Sequence, residues 1–186
     1  MVDHDSQYLD LFPHWLDSLG QDAEALAELA ADESTAPEAQ RVLVAGLNAL
    51  LKSIDLIPDG LQELGYVDDA FILRACVRLA VAAHVDLADA AVCKRLAADA
   101  ETIQRFLGAE VHGRFVSYVK SLPGVSVRGR SADEIVGDDA LLSEFVAEVR
   151  GFAAQYQSSG FGRDEKNLIR LRGFLDEATK SRLDKG

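Results

Sequence analysis

"VLVAGLNALLKSIDLIPDGLQELGYVDDAFILRACVRLA", residues 42–80, reads as an apolar run, an interruption rich in acids and glycine, and a second apolar run. In the first run Glu38, Arg41, Asn48 and Lys52 fall close to one narrow helical stripe, and Val42, Leu43, Val44, Leu47, Leu50 and Leu51 occupy the rest. A helix that is apolar over most of its circumference belongs in an interior. Thr35 and Glu38 have capping-box spacing and Pro37 falls in the first turn, so the helix is expected over about 36–53. The second run, about 67–84, behaves alike: Arg74 and Arg78 lie one turn apart, and Phe71, Ile72, Leu73, Val77, Leu79 and Val81 cover much of the remainder. Two such helices joined by a short connection should pair antiparallel at the centre of a bundle. The expected fold is therefore all-α, a multi-helix bundle around that hairpin.

Outward from the hairpin the periodicity stays helical. Tyr8, Leu9, Leu11, Phe12, Trp15, Leu16 and Leu19 recur at helical spacing, with Pro13 predicting a kink or two short helices and Gly20 closing the pattern. A second helix is expected from Asp22 to Ala31. Past the hairpin, Asp86 is read as the cap of a helix to about Ala98 and Asp99 as the cap of another reaching Leu107. Val111, Phe115, Tyr118, Val119 and Leu122 mark a helix ending at "LPG", and "VSVRGR" carries the single alternating pattern. Ser131 and Glu134 form a second capping box. Two amphipathic helices follow, one lined by Leu141 to Tyr156 and one by Leu168, Leu171, Leu175 and Ala178, with "QSSGFGRD" between them as the least constrained linker.

The chain has 186 residues and a formal net charge of -12. Residues 1–109 carry 19 acidic and 7 basic side chains and residues 110–186 carry 12 of each, so the whole excess lies in the first part. Two regions are expected on this basis, an acidic one (1–109) holding the hairpin (36–85) and a C-terminal one (110–186), packed as one globular unit. Such a balance argues against nucleic-acid binding, which draws its affinity from Lys and Arg on phosphates. It argues equally against electrostatic adhesion to an anionic bilayer. The best candidate for a membrane span, Ala70 to Val85, falls short of roughly 20 residues and includes two arginines. The acidic Met1–Asp5 start shows no secretion signal, which makes cytoplasm the default.

Chemistry is sparse. Cys76 and Cys93 sit in apolar helical segments as reduced thiols. His4, His14, His84 and His112 are scattered, and none completes ExxH, HExxH or a similar metal pattern. His84 and Asp86 could ligate a metal, or simply end one helix and cap the next. The dense cluster is in the connector. Asp55, Asp59, Asp68 and Asp69 could converge on Mg2+ or Ca2+, which take oxygen ligands. Alternatively Asp55 accepts main-chain N–H bonds at a turn stiffened by Pro58, while Asp68 and Asp69 occupy the first turn of the next helix, where its dipole favours acids. Gly60 and Gly65 supply backbone freedom. Leu56, Ile57, Leu61, Leu64, Tyr66 and Val67 pin the connection by burial, and Arg74 and Arg78 are candidate ion-pair partners of the acids.

"DLIPDGLQELGYVDD" resembles the signature of the YkvA-like family of bacterial domains. Asp55, Ile57, Pro58, Asp59, Leu64, Gly65, Tyr66, Asp68 and Asp69 match it, whereas Gln62 replaces the family's second proline and Gly60 stands where a larger apolar residue is common. The resemblance spans the helix before the motif through the helix after it. It implies an α-helical hairpin, with membrane association in many bacterial members and no agreed catalytic activity. The reading that follows is a soluble, non-enzymatic interaction or scaffold module with a protein partner and no required cofactor. Its competitors are a divalent-metal protein or metal-dependent enzyme at the aspartates, and a peripheral protein at a membrane surface.

Overall fold

The computed structural model describes residues 5–52, 56, 57, 61, 63–158 and 160–184. Among these the chain forms eight α-helices and no strand. They are α1 (Ser6–Ala31), α2 (Pro37–Lys52), α3 (Val67–Ala83), α4 (Ala91–Leu107), α5 (Ala109–Ser121), α6 (Ala132–Val136), α7 (Asp139–Gln155) and α8 (Glu165–Leu183), with 3-10 turns at Val85–Asp89 and Leu122–Gly124. No helix among the described residues is long and apolar enough to cross a membrane.

The α2–α3 hairpin is central, as its all-round apolar character predicts. Contacts at its two ends fix its direction: the start of α2 meets the end of α3 through Ala36 and His84, and the residues after α2 meet the start of α3 through Leu56 and Asp68. The helices are therefore antiparallel. At mid-length Gly46 lets them approach closely, since a Cβ there would stand 2.9 Å from Cys76 Sγ and 3.1 Å from Cys76 Cβ. Around this pair, α1 packs against α2, α3 and α7, α4 against α3, α6 against α2, and α5 against α8. Phe12 is an aromatic hub, with the rings of Tyr8, Trp15, Phe71, Phe106 and Phe161 centred 5.1 to 5.7 Å away.

The structure corrects the sequence expectation for α1. It runs unbroken from Ser6 to Ala31 through both Pro13 and Gly20. Proline inside a helix costs about 3 kcal/mol, yet Phe12, Trp15, Leu16, Leu19, Ala23, Leu26, Ala27 and Ala30 form one continuous buried stripe. Each large side chain in such a stripe returns about 1.5–3 kcal/mol, so tertiary burial outweighs the local break. Gly20 is a seat rather than a terminus. The Tyr156 ring lies against it, 3.1 Å from where a Cβ would be, and the Tyr156 hydroxyl donates to the Leu16 carbonyl at 2.8 Å.

A second correction concerns α4, one helix from Ala91 to Leu107, preceded by the 3-10 turn in which Asp86 falls. Asp99 lies inside it because the stripe Cys93, Leu96, Ala100, Ile103, Phe106 passes without interruption. The Thr35–Glu38 box is also replaced: the Thr35 hydroxyl donates to the Leu29 carbonyl at 2.7 Å, and Glu38 pairs with Arg41. At α6 the expected box is present, with both the Ser131 and Glu134 bonds made. "VSVRGR" makes a lone bridge between Val127 and Arg130 around Arg128 and Gly129, whose φ values of 49° and 83° suit a tight hairpin turn. In the linker before α8, Phe161 is buried against Phe12 and the Gly162 N–H donates to the Glu63 carbonyl at 2.8 Å.

Candidate functional site

The connector motif is the first place to look for chemistry. Asp55, Pro58, Asp59, Gly60 and Gln62 lie outside the described residues. Of the rest, Ile57 and Leu64 are buried, Gly65 has φ 54° in the left-handed region, and Tyr66 precedes α3 with its ring edge-on to Phe152 and Tyr156. Asp68 and Asp69 open α3 and are both buried, at 2% and 3% exposure.

Asp68 reaches back across the connector. One carboxylate oxygen accepts the N–H of Leu56 at 2.9 Å and that of Ile57 at 3.4 Å. Burial raises its pKa above the ordinary carboxylate value, against the opposing pull of these N–H groups and those of the α3 first turn. Tyr118 of α5 lies on the same side of the bundle. Its phenol is pushed up to about 12 by burial and by the nearby acids Asp68 and Asp69, with Arg182 over its ring acting in the opposite sense. The Asp68 carboxylate is spent on main-chain N–H groups. Among the described residues no three His, Cys, Asp or Glu side chains are grouped as metal ligands.

Among the described residues the arginines of α3 pair with acids of α4. Arg74 is fully buried, donates to Asp99 at 3.0 Å and to the Ala70 carbonyl at 3.1 Å, and lies 4.0 Å over the Trp15 ring. Burial lowers it to about 10, with Asp99 holding it charged. Arg78 reaches Glu101 and the Ala97 carbonyl, both at 3.3 Å. Nearby, buried Asp22 accepts from Ser18 at 2.8 Å and pairs with Arg95. Sequence reasoning missed buried Asp22 and partly buried Asp99 as ion-pair partners. Asp22 falls within the buried stripe of α1, and an acid in that position signals a cation on a neighbouring helix.

His84 ends α3 and opens the 3-10 turn, where its carbonyl accepts the Leu87 N–H at 3.1 Å, while its side chain reaches across the bundle. Its Nδ1 accepts the Ala36 N–H at the start of α2, at 3.0 Å, and its Nε2 is 3.7 Å from Asp86. Cys76 and Cys93 are free and buried, and burial pushes the Cys76 thiol up to about 12, so neither favours the reactive thiolate.

A groove of about 710 Å³ runs between the α1–α2 corner and the start of α7. Asp32, Glu33, Thr35, Gln40 and Asp139 line it, and its single cation, Arg150, is 3.5 Å from Glu28. Its polar walls and acidic balance suit a cationic segment better than an apolar one.

Set against models of protein families, curated proteins and solved structures, the chain matches none of them.

Proposed function

We propose that this protein is a non-catalytic helical interaction module, built on a YkvA-like hairpin, that receives a basic protein segment in the acidic groove between the α1–α2 corner and α7. The observation that carries the reading is the spent carboxylate of Asp68, which is buried and committed to the N–H groups of Leu56 and Ile57. An acid used this way shapes a turn and is a poor metal ligand or general base. The groove supplies the binding surface, with Asp32, Glu33 and Asp139 exposed on its walls. Charge of one sign in a concave site raises the encounter rate with an oppositely charged partner.

The test is fluorescence anisotropy with a labelled Lys- and Arg-rich peptide. Saturable binding that weakens with salt and is lost in a Glu33→Lys, Asp139→Lys double variant supports the groove; binding unchanged by the double variant removes it. In parallel, melting is followed with and without Mg2+, Ca2+ and Mn2+. Insensitivity to all three at millimolar concentration fits a connector that shapes backbone, whereas a saturable rise in Tm would favour the competing divalent-metal reading at Asp55, Asp59, Asp68 and Asp69. Co-sedimentation with neutral and anionic liposomes would favour the membrane-surface reading instead.

A further inference from the structure

A second concavity lies where α3, α4 and α5 meet. Its volume is about 90 Å³. Leu79, Ile103, Phe115 and Val116 form its apolar walls, and Arg78 and His112 are its cationic and imidazole groups. The cavity is open on one side. There it adjoins a shallower depression lined by Arg78, Glu101, Gln104, Arg105, Gly108 and Ala109, at the start of the 13-residue helix α5.

We propose that this cavity binds a short branched-chain monocarboxylate, with its tail among Leu79, Ile103, Phe115 and Val116 and its carboxylate between Arg78 and His112. Size selects the tail. An apolar cavity of about 150 Å³ holds benzene, six carbons, so about 90 Å³ holds a tail of three or four. Charge selects the head. Arg78 directs Nη1 to Glu101 and Ala97, but Glu101 is two-thirds exposed, so a ligand carboxylate can share the guanidinium. Arg105 and the N-terminal end of α5 add positive potential at the mouth. Against them stand Glu101 at the mouth and Glu110 in the first turn of α5, the latter paired with Arg114. His112 is half-buried, and burial together with Arg78 lowers its basicity. Its imidazole is the second polar group of the cavity wall able to hydrogen-bond the carboxylate.

The experiment is a titration of the full chain with sodium isovalerate, followed by the methyl NMR signals of Ile103 and Val116, with isovaleramide as the neutral isostere. Saturable shifts of both methyl groups are expected, with the amide binding about tenfold more weakly because it lacks the charge-assisted bond. Arg78→Gln should abolish that preference, and Ala100→Leu, which fills the cavity, should abolish binding of both compounds. No saturable shift in the millimolar range, equal binding of acid and amide, or binding that survives Ala100→Leu would each overturn the proposal. Arg78 is half-exposed, so its variant keeps the test interpretable if the filled variant does not fold.

Discussion

The two ends of the α2–α3 hairpin are closed by different chemistry. At one end the buried carboxylate of Asp68 gathers the Leu56 and Ile57 N–H groups; at the other the half-buried imidazole of His84 takes a single N–H, that of Ala36. One closure is multiple and dry, and the other is single and partly wet. The contrast teaches that a short connector needs more of its own donors satisfied internally than a helix start that borrows one acceptor from across the bundle.

Breaking the dry end should have the largest effect. Asp68→Ala leaves two buried N–H groups without their acceptor, at 1–3 kcal/mol each, so a loss of about 3 kcal/mol is expected in urea unfolding. Asp68→Asn should cost less and should expose the acid's titration. Because burial raises Asp68 in the folded state, its stabilising contribution is fully present below the ordinary carboxylate range and declines as pH rises through the elevated value. The deficit of the Asn variant relative to the native chain is therefore expected to be larger near pH 4 than near pH 7, and a deficit that grows with pH would contradict the burial account.

Between the ends, Gly46→Ala would push a Cβ into Cys76. Overpacking of about 1–3 kcal/mol exceeds the roughly 0.5–1 kcal/mol gained by replacing a helical glycine, so a net loss of about 1 kcal/mol is expected. Adding Cys76→Ala should recover part of it in a double-mutant cycle. At the wet end His84→Ala should cost about 1 kcal/mol, the value of one lost bond. The 16-residue α2 puts about 24 Å between the two closures, so the Asp68 and His84 effects should add; clear non-additivity would mean the ends are coupled. Smallest of all, Glu101→Gln removes an exposed pair and should change stability by less than about 0.5 kcal/mol.

The hairpin was legible because its two runs are apolar on nearly every side, a pattern with few other homes. Helix ends read from local breakers were less legible. Pro13, Gly20 and Asp99 all look like boundaries in isolation, yet each lies within a stripe whose 3.6-residue register continues past it, and the register prevailed. The capping box at Ser131 held because both partners lie three residues apart, whereas Thr35 turned back to the end of α1 and His84 found a partner 48 residues away that no short window contains. Of the proposed site, the first-turn position of Asp68 and Asp69 was readable from helix-start chemistry. Neither the reach of Asp68 to Leu56 nor the pairing of Arg74 with Asp99 was, because both depend on how helices meet.

Trp15 is the chain's one tryptophan, and it sits under the Arg74 guanidinium with Phe12 and Phe71 beside it. The α1–α3 seam consequently carries its own optical reporter, with no second indole to blur the signal. Its emission should move to longer wavelength when that seam opens, while circular dichroism follows all the helices together. Coincident midpoints from the two would show that the seam melts with the whole molecule.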